Sequence, residues 1–192
     1  MKIYFLRHGE TEGNITGTFC GVSETPLSQK GKEQGVLAKE KLKGIHLDQV
    51  LVSPLSRAID TAKLAGCQNL KIVDGLKEMD FGIFEGLTYK EIEAQHPESV
   101  KQWHEEKSNY LFPQGESLKS FYDRVLQVYK KILVDYEGKD LLLVAHSGVL
   151  RAIFAHEISE NFDHYWKYKV DNASLSMISY TKDGICLEMF NL

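Results

Sequence analysis

Long apolar runs are missing from this chain. After Lys2 only four apolar residues follow, Ile3 to Leu6. That is far short of the roughly 20 that span a bilayer, or of a secretory leader's apolar core. Cysteine is scarce as well. Cys20, Cys67 and Cys186 are odd in number, far apart and without a CxxC pair, which argues against a disulfide framework or a zinc cage and makes a reducing cytoplasm the expected setting. Proline (4) and glycine (15) are too few for a fibrous or low-complexity chain. An excess of positive charge is also lacking: 23 Lys and Arg against 27 Asp and Glu give a net charge of −4, so no basic field exists to recruit nucleic acid and any anion site is local.

What is present suits a folded chain. The 192 residues are 43% hydrophobic and 26% charged, with no repeat or linker, and a single domain over 1–192 is expected. A chain of this length buries around 70% of the surface its unfolded form exposes. Short apolar runs recur at Ile3–Leu6, Val50–Val52, Ile72–Val73 and, most strongly, Leu141–Ala145. They read as strands buried on both faces. Helical patterns lie between them: Ser28–Leu42 ends at Gly44, and Leu118–Tyr136 carries apolar residues at spacings of three and four before Gly138. This alternation predicts a three-layer α/β/α sandwich with a mainly parallel sheet. SLSMISY, TKDG and ICLEMF predict an antiparallel hairpin at one edge. Residues 80–118 contain no strand pattern and are expected to sit as an insertion over one end of the sheet.

Ligands of parallel sheets bind beyond the carboxyl ends of strands, where helix N-termini point their free N–H groups. Three strand ends here carry basic residues. The first is LRHGE, with Arg7 and His8; the second is SPLSRA, where Ser53 as N-cap and Pro54 at the first helical position place Arg57 in the opening turn. The third is VAHSG, ending in His146 with Ser147 and Gly148 leading into a helix. Four basic side chains meeting at one edge need an anion between them. Phosphate fits: it carries close to two charges near neutral pH, and the arginine fork matches its oxygens. Histidine adds a neutral imidazole nitrogen near pH 7, able to attack phosphorus.

LRHGET with Asn14, SPLSRA, the Glu of KEMDFGIFEG, and VAHSG together resemble the histidine phosphatase superfamily, the phosphoglycerate mutase-like proteins. The four blocks fall in the family's order between Leu6 and Gly148. The resemblance implies a phosphoglycerate mutase-like fold and a catalytic set of His8 as nucleophile, forming a phosphohistidine, with Arg7, Arg57 and His146 around the phosphate and Glu78 protonating the leaving alcohol. Asn14 matches a phosphate contact, and Gly21, Ser147, Gly148, Glu116 and Ser117 complete the candidate substrate-binding set. No cofactor or metal is implied, because the basic cluster supplies the charge stabilisation. The expected partner is a small phosphorylated metabolite, with no nucleic acid and no membrane, and the oligomeric state is left open, a homodimer included.

Several residues carry more than one reading. Glu10, Asp80 and Glu85 compete with Glu78 as the acid, although Glu85 is better placed to support its local turn, and Thr88 with Glu91 reads as a capping box. Arg57 has the alternative of a surface pair with Asp60. FPQGES resembles the PxGES segment shared by α-ribazole phosphatases and broad-specificity relatives; there Glu116 and Ser117 either face substrate or cap the long helix. Trp103, Tyr165 and Trp166 line either the pocket or an interface. His96, His104, His156 and His164 match no zinc spacing. The chain is compact between its acid and second histidine blocks, which favours hydrolysis of a phosphomonoester, with α-ribazole 5′-phosphate as the specific expectation. Phosphoglycerate mutase or phosphoglycerate/phosphoserine phosphatase activity is the alternative within the family, and a non-catalytic phosphate-binding module the alternative outside it.

Overall fold

The computed structural model describes all residues, 1–192. Six strands form one sheet: β1 (Lys2–Arg7), β2 (Gln49–Val52), β3 (Leu70–Ile72), β4 (Leu141–Ala145), β5 (Leu175–Thr181) and β6 (Gly184–Met189). Their order is β3-β2-β4-β1-β5-β6. The β3–β2, β2–β4 and β4–β1 pairs are parallel, and antiparallel pairing is confined to β1–β5 and β5–β6. The sheet is therefore mostly parallel with an antiparallel edge, as the sequence predicts.

The three layers follow from the two-residue period of a strand. Ile3, Phe5, Leu51, Leu141, Leu143 and Ala145 face one side, in a core shared with α6 (Leu118–Asp135) and α7 (Ser147–Glu157). Tyr4, Leu6, Val50, Val52, Leu142 and Val144 face the other, against α2 (Gln29–Lys41) and α3 (Ser56–Leu64). β1 and β4 are thus clad on both faces, which explains why they are uniformly apolar. Each large side chain so buried contributes about 1.5–3 kcal/mol. Strand β3 departs from the expectation of burial: it spans Leu70–Ile72, and Ile72 is 49% exposed, because it pairs only with β2 and forms the sheet's edge.

The helix after β2 also begins later than predicted. Leu55 is the N-cap and Ser56 the first helical residue, so Ser53 does not cap it. Arg57 still falls in the first turn. By contrast, Ser28 caps α2 and Ser117 caps α6 through their side chains, and Thr88 with Glu91 closes a capping box on α4 (Tyr89–Gln95). The remaining helices are α1 (Glu12–Thr16) and α5 (Pro97–Glu106).

Candidate active site

Parallel register aligns the strand ends. Arg7 pairs with Ala145 across β1–β4, and Val52 with Val144 across β2–β4. His8, Ser53 and His146 therefore leave the sheet at one edge. A cavity of about 850 Å³ opens there, and Arg7, His8, Asn14, Arg57, Glu78, Ser147 and Gly148 all line it. His146 is fully buried beside it, its ring centroid 5.1 Å from that of His8.

The tautomer of His8 is set by its neighbour. Nδ1 lies 2.7 Å from the carbonyl oxygen of Gly9, which can only accept, so Nδ1 carries the hydrogen and Nε2 the lone pair. Burial lowers the His8 pKa well below 6.5, and the charges of Arg7 and Arg57 push the same way. The imidazole is held neutral. His146 is also held well below 6.5, by burial first and then by His8, Arg57 and Arg7. Its Nε2 is 2.7 Å from Ser53 Oγ. Ser53 Oγ also accepts from the Leu55 N–H at 3.4 Å, and with its hydroxyl hydrogen donated to His146 Nε2 the ring proton sits on Nδ1. That Nδ1 is buried with no partner in the protein.

The two guanidiniums are held differently. Arg7 Nη1 donates to the Val170 carbonyl at 2.7 Å, while its Nε is buried and unpaired. Desolvation brings the Arg7 pKa down to about 10, partly offset by the Glu78 carboxylate. Arg57 is 1% exposed and does not pair with Asp60. It donates instead to the carbonyls of Ser23, Gly21 and Cys20, tying the 20–23 loop to the first turn of α3.

Among the four acids weighed, Glu78 alone lines the cavity. Its Oε2 accepts the Gly148 N–H at 2.9 Å and its Oε1 the Met79 N–H at 3.0 Å. A Cβ on Gly148 would stand 2.2 Å from Glu78 Oε1, so only glycine permits that contact. Glu10 bonds Ser28 and Lys30, and Asp80 accepts the Gly82 N–H. Glu85 gathers the N–H groups of Gly21, Val22, Ser23 and Phe81, the turn-supporting role the sequence suggests. Asn14 uses Oδ1 to accept from Thr11 and Asn172, which leaves Nδ2 as its uncommitted donor.

Three expected substrate contacts are elsewhere. Gly21 has its N–H committed to Glu85 and packs against Met79, where a Cβ would lie 1.7 Å from the carbonyl oxygen. Ser117 caps α6, as one of its two readings has it, whereas Glu116 pairs with Arg124 at 2.7 Å and neither caps the helix nor faces the cavity. Their polar groups are consumed internally, and none of the three lines the cavity. Trp103, Tyr165 and Trp166 do line it, with Phe19, Phe81 and Phe162. Arg151, absent from the sequence-derived set, lines it too; its guanidinium lies 5.4 Å from the Trp166 ring centroid and its Nε donates to the Tyr168 carbonyl. Arg151 is four residues after Ser147, on the same helix face, a spacing that sequence alone offers. Ser53 was legible only as a cap.

With Arg7, His8, Arg57 and His146 gathered about Glu78 at a strand-end cavity, the site has the makings of phosphate chemistry, and comparison with known proteins agrees. The family model for the histidine phosphatase superfamily (branch 1) matches residues 3–192, and the chain belongs to that superfamily. It is a phosphatase. Phosphoserine phosphatase 1 of Hydrogenobacter thermophilus is 32% identical over 181 residues, covering 93% of this chain and 86% of that protein. The adenosylcobalamin/alpha-ribazole phosphatase of Escherichia coli is 29% identical, covering 100% and 96%. Among solved structures, the alpha-ribazole phosphatase from Shigella flexneri superposes with a TM-score of 0.94 at 29% identity, covering 100% and 96%.

Proposed function

We propose that the protein hydrolyses a small phosphomonoester through a phosphohistidine on His8. The observation that carries this is the fixed tautomer of His8, whose Nε2 lone pair is held neutral at a cavity lined by Arg7 and Arg57. Phosphate would sit between the guanidiniums, the Asn14 amide, the His146 Nδ1–H and the N-terminus of α7, whose peptide dipoles favour negative charge. His8 Nε2 forms a bond to phosphorus as the bond to the leaving oxygen breaks. Glu78 gives that oxygen its proton. Water then attacks the phosphohistidine, Glu78 takes the proton from it, and the N–P bond breaks to release phosphate. Fixed cations supply the charge stabilisation without a metal ion. Residues 80–118 contribute Phe81, Trp103, His104, Lys107 and Phe112 to the cavity wall, so this segment acts as the cover of the leaving-group half. Unpaired Cys20, Cys67 and Cys186 support a cytoplasmic setting for the reaction.

The leaving-group half is broad and aromatic, which suits an alcohol bearing a planar ring, and α-ribazole 5′-phosphate is the substrate we favour. A second reading, phosphoserine or a phosphoglycerate, rests on Arg151, which has no carboxylate partner in the protein and lies close enough to Arg7 to lower its pKa. The test is a phosphate-release screen over α-ribazole 5′-phosphate, phosphoserine and 3-phosphoglycerate in EDTA, with wild type and His8→Ala. Release by wild type and none by a folded His8→Ala variant is the expected result. Equal turnover by both would sink the nucleophile assignment. Phosphoryl exchange between phosphoglycerates faster than phosphate release would make the protein a mutase.

A further inference from the structure

We propose that Arg124 and Glu116 act as positioning residues for Glu78, a role that rests on Glu78 being the proton donor. Between the 3₁₀ turn at Asp74–Leu76 and the next at Gly82–Phe84, the chain is irregular, yet it carries the acid. An acid that must reach a leaving oxygen has to be held to within about 0.5 Å. Regular backbone pairing is not there to do so.

Arg124, on the second turn of α6, supplies the order. Its Nη1 donates to the carbonyls of Gly75 (3.0 Å) and Lys77 (3.3 Å), and its Nη2 to the carbonyl of Glu78 itself (3.3 Å). Nε and Nη2 also donate to the two carboxylate oxygens of Glu116, at 3.3 and 2.7 Å. A guanidinium has five N–H bonds, and all five are spent here. Glu116 then reaches past the acid: its Oε1 accepts the Asp80 N–H at 3.0 Å, and its own N–H donates to the Asp80 carbonyl at 3.0 Å. The loop is gripped at 75, 77 and 78 by one partner and at 80 by the other, and the partners grip each other. Beneath the guanidinium, the Phe121 ring centroid is 5.1 Å away. The Glu78 carboxylate is fixed in turn by the Gly148 N–H of α7 and by the Met79 N–H of the same gripped loop.

Lysine cannot replace this arginine. It has the charge, but three donors on one atom cannot meet four separate groups in a plane. The arrangement also accounts for the Glu of the QGES segment without any contact to substrate.

The signature of lost positioning is selectivity by leaving group. An alkyl phosphate needs the proton from Glu78, whereas p-nitrophenyl phosphate expels a stable phenolate without one. We expect Arg124→Lys and Glu116→Gln to lower the single-turnover rate of alcohol release from an alkyl phosphate by roughly 10- to 100-fold, the scale of misplacing a catalytic group by about 1 Å; this step precedes the hydrolysis in which Glu78 serves every substrate alike. On p-nitrophenyl phosphate the single-turnover burst of p-nitrophenolate should stay within threefold of wild type in both variants. Glu78→Gln is measured alongside and should show the same selectivity. Equal losses on both substrates, or no loss on either, would overturn the positioning role while leaving Glu78→Gln selective. A Glu78→Gln variant with no selectivity would instead overturn the acid assignment, and the positioning role with it. Should Arg124→Lys fail to fold, Glu116→Gln decides alone.

Discussion

The Ser53 hydroxyl lies 2.7 Å from Nε2 of His146, joining the end of β2 to the end of β4. This bond, between residues 93 apart in sequence, ties the tautomer of His146 to the orientation of the Ser53 hydroxyl. Ser53→Ala frees the ring to exchange tautomers. A single such hydrogen bond is worth about 0.5–1.5 kcal/mol, so kcat/KM should fall roughly 3- to 10-fold. Inhibition by inorganic phosphate should weaken by a similar factor, measured by steady-state competition. Unchanged phosphate affinity would show that His146 does not need the serine.

Both histidines are held neutral by burial and by their arginine neighbours, with pKa values well below 6.5. Their ring-proton NMR signals should therefore stay constant as pH falls from 8 through 6.5 in the free protein. The stability consequence follows in sign: below an unfolded value of about 6.5 the unfolded chain binds protons that the folded chain does not. Stability is then lost progressively from about pH 6.5 down to the folded-state values. Urea midpoints across that window should decline, and less steeply in His8→Asn.

Gly148→Ala tests the contact between α7 and the acid. The new Cβ would stand 2.2 Å from Glu78 Oε1 and 2.9 Å from the Tyr165 hydroxyl, so the carboxylate must move. A displacement near 1 Å predicts a drop in kcat of about 100-fold. Thermal melting should change much less than activity.

Glu85→Ala leaves the N–H groups of Gly21, Val22, Ser23 and Phe81 without their acceptor. Unsatisfied groups cost about 1–3 kcal/mol each when buried, and partial exposure here reduces that to roughly 2 kcal/mol in total. Because Arg57 bonds the carbonyls of the same loop, KM for substrate should rise together with the loss of stability, read by denaturant unfolding and steady-state kinetics.

Much of this was legible in the sequence, for identifiable reasons. β1 and β4 are buried on both faces, so Ile3–Leu6 and Leu141–Ala145 are apolar without interruption, and the positions where polarity resumes, Arg7 and His146, mark the cavity edge. Alternation of strands and helices fixed the layers, and the cap reading of Ser117 matches the start of the long helix. Residues whose partners are remote were not legible. Gly21 and Glu116 sit in motifs near the site, but their groups are taken by Glu85 and Arg124, which only folding brings together. Ser53 followed by proline looks like a helix start; its partner is 93 residues on. Arg151 sat on a readable helical spacing, yet nothing local separated it from a surface arginine.

The central place of β1 has a consequence for biosynthesis. Arg7 and His8 are synthesised well before the strands that flank them, β4 and β5, whose partners run from Leu141 to Ser179. Those pairings span most of the chain and form only after a large loop has closed. The nucleophile is thus made early and left idle, and chemical competence arrives late, when the last strands zip in beside it.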